Sequence, residues 1–420
     1  MARERSYDIA IIGGGPIGLS TAHEAAKAGQ SVVVLEQYYF FNQAGSSGNL
    51  PRMFRTMYTE DFMADLAHEC MGLWDNLETE AGKKLRWMAG LLNFGNPDYN
   101  ERGPEGTLLG PIKNLKRLGM KYTVYTKSDI EKSYPFTNLP DNYIGIYAPD
   151  NGVINIPLLL RTLHRLARQN GAHMHGNTRA EKLQPHEKGQ GWRISAVQQG
   201  RRITYHAKKI VLACGAYINH ILRASFGIQL RLQIWEMAGS YFSVDPGGGN
   251  DQGTEIPIMW FHFQNHLPTG HSQLFYGYPV LPWGPPDLAR ITVDTATQQI
   301  ADPDERNECV TSDEDIANTR RFVQRFMKGI NPSIPVFESV CLQGNVFDNM
   351  FVLDHLPTQY LQGGDPGFVV LFTAGWAMKF VPLIGRALKE LSVEGRSKYA
   401  RAEFAITRED ASGKGLIEEI

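Results

Sequence analysis

The 420-residue sequence predicts an α/β protein in which a Rossmann-like domain is interleaved with a sheet-rich α+β domain. Three observations carry that expectation. A glycine-rich turn sits between two short apolar runs at the N-terminus. Apolar strands ending in small-residue turns recur near residues 210 and 370. The segments between read largely as sheet, punctuated by Gly and Pro. Length alone argues for more than one domain, since ordinary domains run to about 100–200 residues.

The N-terminal unit is the most specific signal. Residues 7–12 form an apolar strand, followed by Gly13-Gly14-Gly15-Pro16-Ile17-Gly18, in which Gly13, Gly15 and Gly18 make G-x-G-x-x-G. An Ala-rich helix over 19–28 is closed by Gly29, and a second buried strand over 31–36 ends in Glu36, followed by Gln37. Gly13 permits a tight turn, Gly15 lets backbone approach a pyrophosphate, and Gly18 allows close helix–strand packing. Pro16 and Ile17 begin a helix whose N-terminus offers N–H donors. Glu36 can accept hydrogen bonds from ribose hydroxyls and would repel a 2′-phosphate. A dinucleotide site follows, with NADP disfavoured.

This unit does not separate FAD from NAD, because both share the ADP half. Two later segments favour FAD. Residues 208–216 read as a buried strand running into the turn Ala213-Cys214-Gly215-Ala216. Residues 368–372 form another strand, which passes through Ala374-Gly375-Trp376 into a helix around 383–391. A glycine turn at a helix start can hold the polar edge of a flavin by backbone donors. An NAD-dependent dehydrogenase would rarely need nucleotide-domain strands from both chain ends.

Elsewhere, helical spacing runs over 60–80, 156–170 (stopped by Gly171) and 313–329. A helix start near 127 has Ser128 as cap and Glu131 three residues on. Strand-like pieces fall at 173–177, 241–244, 273–278 and 290–294, with loop signals at 246–249 and 283–286. This alternation assigns 1–85, 150–224 and 340–420 to the nucleotide domain, and 86–149 and 225–339 to the substrate domain.

Composition narrows the function classes. Lys+Arg of 42 against Asp+Glu of 44 gives no basic footprint for nucleic acid or an anionic membrane. The longest apolar stretch, 368–378, is broken by Thr373 and Gly375 and falls short of the ~18 residues of a membrane span. No apolar leader precedes the first strand, and Cys70, Cys214, Cys309 and Cys341 show no CxxC spacing. The expectation is a cytoplasmic protein with reduced thiols, without metal, and with homodimerisation left open. No G-x-S-x-G, no HExxH and no Cys/His cluster supports a hydrolase or zinc enzyme.

Several further motifs belong together: Pro51-Arg52-Met53-Phe54-Arg55, Ala148–Val153 around Asp150-Asn151-Gly152, Tyr276-Gly277-Tyr278-Pro279, Val340-Cys341 with Asp348 and Asp354 beyond, and residues 374–380, Ala-Gly-Trp-Ala-Met-Lys-Phe. With the N-terminal unit, they make the chain resemble the monomeric sarcosine oxidase group of the D-amino-acid-oxidase-like fold. That group also takes in N-methyltryptophan and pipecolate oxidases and some L-amino-acid oxidases. The resemblance implies an FAD enzyme that removes a hydride from the carbon bearing an amine and returns the electrons to O2 as hydrogen peroxide.

By the same resemblance Arg55 and Lys379 hold the substrate carboxylate, which suits an Arg fork and a Lys point charge. For Arg52 and Arg55, three apart, a solvated helix face is the alternative to a binding role. Arg52, Ala180, Cys214, Gly215, Gly375, Trp376, Met378 and Lys379 fall at cofactor positions. Arg290 falls where the family carries a Lys that promotes O2 reduction, and Cys341 where several members bind flavin covalently. Gln343 replaces an aromatic residue after that cysteine. Trp235, Glu236, Tyr276 and Trp376 would shape a roomier pocket than one for N-methylglycine. The expected activity is therefore oxidative deamination of free L-α-amino acids, with oxidation of N-methyl or secondary amino acids as the alternative.

Overall fold

In the computed structural model, the described residues are 6–99, 106–186, 191–245, 256–264, 274–293, 298–306, 312–333, 335–361, 363 and 368–420. The loop signal at 246–249 and Cys309 lie outside them.

The strand Ser6–Ile12 pairs in parallel with Val32–Leu35 on one side and with Arg201–Leu212 on the other. Ile9, Ala10, Ile11 and all of Val32–Leu35 are buried, as expected for strands covered on both faces. His173–His175 extends the sheet beyond Val32–Leu35, and Val369–Thr373 adds in parallel to Arg201–Leu212. The antiparallel strands Thr178–Pro185 and Trp192–Gln198 complete one edge, and Val352–His355 pairs with Val369–Thr373. Helices Pro16–Lys27, Ile156–Gln169 and Val381–Glu394 pack together against this sheet. The nucleotide-type layer thus draws strands from the start, middle and end of the chain, as the apolar runs predicted.

A second, nine-stranded sheet has Gln233–Ser243 near one edge, between Phe337–Asn345, Gln298–Ile300 and Leu288–Val293. It continues through Phe275–Gly277, Met259–Phe263, Leu91–Gly95, Ile144–Ala148 and Thr123–Thr126. A small sheet of Pro51–Phe54, Gly152–Asn155 and Arg86–Trp87 stands beside them.

Local differences from the sequence expectation have physical causes. Arg52 lies on the strand Pro51–Phe54 rather than on a helix, because four antiparallel pairs with Gly152–Asn155 outweigh helical spacing. The helix Lys127–Ser133 is capped by Thr126, whose hydroxyl and backbone engage Asp129 in a capping box; the Ser128/Glu131 pair is already inside it. The piece at 241–244 is the tail of the longer strand Gln233–Ser243, whose Gln, Glu, Gly and Ser residues hide its alternation. Phe337–Asn345 pairs along the second sheet, so a boundary at 340 would cut one of its strands. Cys70, Cys214 and Cys341 are free thiols. Among the described residues, no helix is long and apolar enough to cross a membrane.

Candidate active site

A cavity reaches from the N-terminal turn to the second sheet, lined by residues of both layers. Its first end is built by Glu36. The buried carboxylate accepts the Gly14 N–H at 2.7 Å, the Tyr38 N–H at 2.9 Å and the Asn42 amide at 3.3 Å. Burial pushes its pKa up against those three donors. Gln37, Tyr38 and Ala180 line the same end.

Beyond it lie Gly13–Ile17. Gly13 adopts φ 109°, and a Cβ there would stand 2.3 Å from the Ala213 carbonyl oxygen. A Cβ on Gly18 would stand 1.9 Å from the Gly13 carbonyl oxygen. Gly18 is therefore a packing glycine and does not line the cavity. Gly15 differs: a Cβ would meet only Ser47 Oγ at 3.5 Å, so the protein leaves its cavity side open. Gly15 also caps the helix Pro16–Lys27, whose first N–H groups face this end.

The middle is formed by Cys214, Gly215, Gly344 and the turn from Ala374 to Lys379. Ala374 and Gly375 both take positive φ, 66° and 72°, which turns the chain sharply from the strand Val369–Thr373 toward its helix. Burial holds the Cys214 thiol protonated, with its pKa pushed up to about 12. Arg52 donates to the carbonyls of Ser46 (2.8 Å) and Pro51 (3.1 Å). Trp376 Nε1 is buried and finds no protein partner among the described residues. Cys341, opposite Met237 in the antiparallel ladder, is buried with both side chains on the cavity.

At the far end stand three buried cations. Arg55 and Lys379 are 3% and 6% exposed. Arg290, 2% exposed, projects from the strand Leu288–Val293 over Tyr276 (5.7 Å) and Tyr278 (5.4 Å). A Cβ on Gly239 would stand 2.3 Å from Arg290 Nη2, so the missing side chain there makes the room its guanidinium occupies. Burial opposes the Arg290 charge, but Tyr276, Tyr278, Tyr241 and Cys341 favour it, and the balance holds its pKa above the ordinary range. Phe261, paired with Tyr276 across the sheet, forms a wall beside Arg55 at 5.7 Å. Among the described lining residues, the only carboxylate is Glu36 and the only imidazole His220. His220 belongs to the nucleotide end through Tyr217 and Tyr38.

The order of these groups fits an extended FAD: an acid for ribose, a helix N-terminus with an open glycine for pyrophosphate, and a turn with an unpartnered indole N–H for the flavin. The chain matches the family described as FAD dependent oxidoreductase, DAO, over residues 8–391. It belongs to that family. The oxidoreductase is 45% identical, over 98% of its length, to a Dictyostelium discoideum protein named "Putative bifunctional amine oxidase", of which it spans only 38%. It is 29% identical to the peroxisomal sarcosine oxidase of Homo sapiens, covering 99% of this chain and 100% of that protein. Among solved structures it is similar to NikD, an amino acid oxidase essential for nikkomycin biosynthesis, at 30% identity and a TM-score of 0.84, with 99% of each chain covered.

Of the residues singled out in the sequence, Gly13, Gly15, Pro16, Ile17, Glu36, Gln37, Arg52, Arg55, Ala180, Cys214, Gly215, Tyr276, Arg290, Cys341, Gly375, Trp376, Met378 and Lys379 meet in this cavity. Trp235 and Glu236 do not line it. Glu236 alternates with Met237 along its strand and points to the opposite face. Sequence reasoning missed Asn42, Gly239 and Phe261. Asn42 carries a signal, a short amide six residues past the ribose acid; the other two are set by strand register alone. His220, Asp302 and Asp304 also gather three metal-ligating atoms. Asp302, however, is hydrogen-bonded to His220 at 2.9 Å and lies 3.6 Å from the Arg223 guanidinium, so its carboxylate is already engaged within the protein.

Proposed function

We propose that this oxidoreductase oxidises secondary, N-substituted α-amino acids at a carbon bearing the amine, yielding an imine that water hydrolyses to an amine and a carbonyl group. The observation that carries the reading is the cation pair Arg55 and Lys379, buried at the far end of a cavity whose other parts suit FAD. Bound FAD supplies a two-electron acceptor that takes the hydride and gives its electrons to O2 as hydrogen peroxide.

The chain's own residues do the rest. Arg55 and Lys379 hold the carboxylate, a fork and a point charge that together fix its orientation. The cations Arg55 and Lys379 disfavour a bound ammonium, so the substrate amine sheds its proton on entry and presents a lone pair. No side-chain base is required, in keeping with the lack of a carboxylate or imidazole there among the described residues. Phe261, Tyr276, Tyr278 and Met237 offer apolar surface to an N-substituent. This favours the secondary amine over the primary one: of Trp235, Glu236 and Trp376, the residues that argued for a free amino acid, only Trp376 lines the cavity. The 29% identity to a sarcosine oxidase supports the same choice.

Arg290 is the cation that meets reduced oxygen. It stabilises negative charge but keeps its proton. A free thiol on the cavity wall supports Cys341 as the residue that carries the flavin covalently.

Peroxide release tests the reading. Purified protein is offered sarcosine, N-methyl-L-tryptophan and pipecolate beside the primary L-amino acids. Turnover of the N-substituted compounds is expected to dominate; turnover of primary amino acids alone would overturn it.

A further inference from the structure

Lys379 lies in a three-residue turn, Met378–Phe380, and its backbone is gripped from behind. Its carbonyl oxygen accepts Trp74 Nε1–H at 2.7 Å and the Cys70 thiol at 3.4 Å. Both donors sit on the helix Asp61–Ala81, both are fully buried, and neither lines the cavity. Burial pushes the Cys70 pKa up to about 12, so the thiol keeps the proton it donates.

The same indole reaches the other cation's segment. Trp74 packs edge-on against Phe54, the residue before Arg55, with ring centroids 6.2 Å apart. The Arg86 guanidinium covers both rings, 4.7 Å from Phe54 and 5.4 Å from Trp74. Arg86 is itself fixed by Glu78 at 3.0 Å and Asp75 at 2.6 Å. One buried cluster therefore ties the strand that leads to Arg55 to the turn that carries Lys379.

We propose that Trp74 is a positioning residue that sets the spacing between Arg55 and Lys379. A carboxylate held by two cations on different elements gains full strength only if those elements keep a fixed separation, to within a fraction of an ångström. A hydrogen bond to the Lys379 carbonyl, with edge-on packing against Phe54, supplies that constraint from outside the cavity. The inference rests on the carboxylate role proposed for Arg55 and Lys379.

The test is acetate binding to the flavin-loaded holoenzyme, followed by flavin absorbance. Trp74→Phe keeps a ring against Phe54 and removes the donor. It is expected to raise the acetate Kd about tenfold, the effect of a net hydrogen bond near the upper end of the usual range. In a Lys379→Ala background the same change is expected to add nothing. An unchanged Kd in W74F, or an equal loss with Lys379 already removed, would overturn the proposal. If W74F does not fold, Cys70→Ala deletes the second donor with a two- to threefold loss expected, roughly one weak hydrogen bond; no loss there would overturn it too. Failure of the underlying carboxylate reading shows separately, as Arg55→Ala and Lys379→Ala binding acetate as tightly as the unaltered protein.

Discussion

The Arg55 guanidinium and the Lys379 ammonium lie over the same aromatic ring: Tyr58 has Arg55 Cζ 4.7 Å and Lys379 Nζ 5.7 Å from its centroid. Two like charges, brought from opposite ends of the chain, are thereby kept together in a buried place. The π face offsets part of their repulsion. A guanidinium fork and an ammonium beside one ring can grip a carboxylate from two sides, which is the physical basis for reading the pair as a carboxylate holder.

Removing either cation should therefore act on binding first. Arg55→Ala or Lys379→Ala is expected to raise KM on the order of 100-fold, about 2–3 kcal/mol for a lost charge-assisted contact. The change in kcat should be much smaller. Steady-state kinetics on an N-methyl amino acid checks this. An unchanged KM in both variants would remove the carboxylate role.

Gly239 should behave as part of Arg290. Gly239→Ala places a Cβ where the guanidinium lies, so it is expected to copy Arg290→Met. Reduction of the bound flavin by substrate without oxygen should stay near normal in both. Reoxidation of dithionite-reduced enzyme by O2 should slow by about tenfold or more, the scale of one removed electrostatic contact. Stopped-flow absorbance of the two half-reactions separates these outcomes.

For Cys341, the expected result is that the yellow colour stays with acid-precipitated protein and moves to the supernatant in Cys341→Ser. Colour in the supernatant of the unaltered protein would leave that thiol a packing residue.

The Glu36 end should respond to pH. Burial raises the Glu36 pKa despite three donors, and ribose hydroxyls donate best to the ionised form. FAD affinity should thus be full at neutral pH and fall as pH drops through the raised titration. Glu36→Gln should bind more weakly and without that pH dependence. Flavin fluorescence quenching in a Cys341→Ser background, from about pH 8 to about pH 5, reads both slopes.

The nucleotide half was legible because its chemistry is local. The turn glycines, helix start and Glu36 all fall within one βαβ unit, where spacing alone fixes geometry. Arg55, Arg290, Cys341 and Lys379 came from family resemblance, and the cavity unites them. What failed was facing. Whether Glu236 or Met237 meets the cavity depends on a register set by pairing with Phe337–Asn345, and a one-residue shift would exchange them. The pairing of the same strand with Leu288–Val293 makes Gly239 the seat of Arg290, a relationship no spacing in the sequence encodes. Trp74 was invisible for a related reason: its partner, the Lys379 carbonyl, belongs to backbone far along the chain.

The most direct measurement is anaerobic bleaching of the bound flavin by matched compounds: an N-methyl-L-amino acid, its unmethylated parent, and the N-methyl amine lacking the carboxylate. Rapid bleaching by the first is expected, with much slower bleaching by the second and almost none by the third. Equal bleaching by the first and third would contradict the cation pair as carboxylate holder. Faster bleaching by the parent than by its methylated form would contradict the choice of secondary amines.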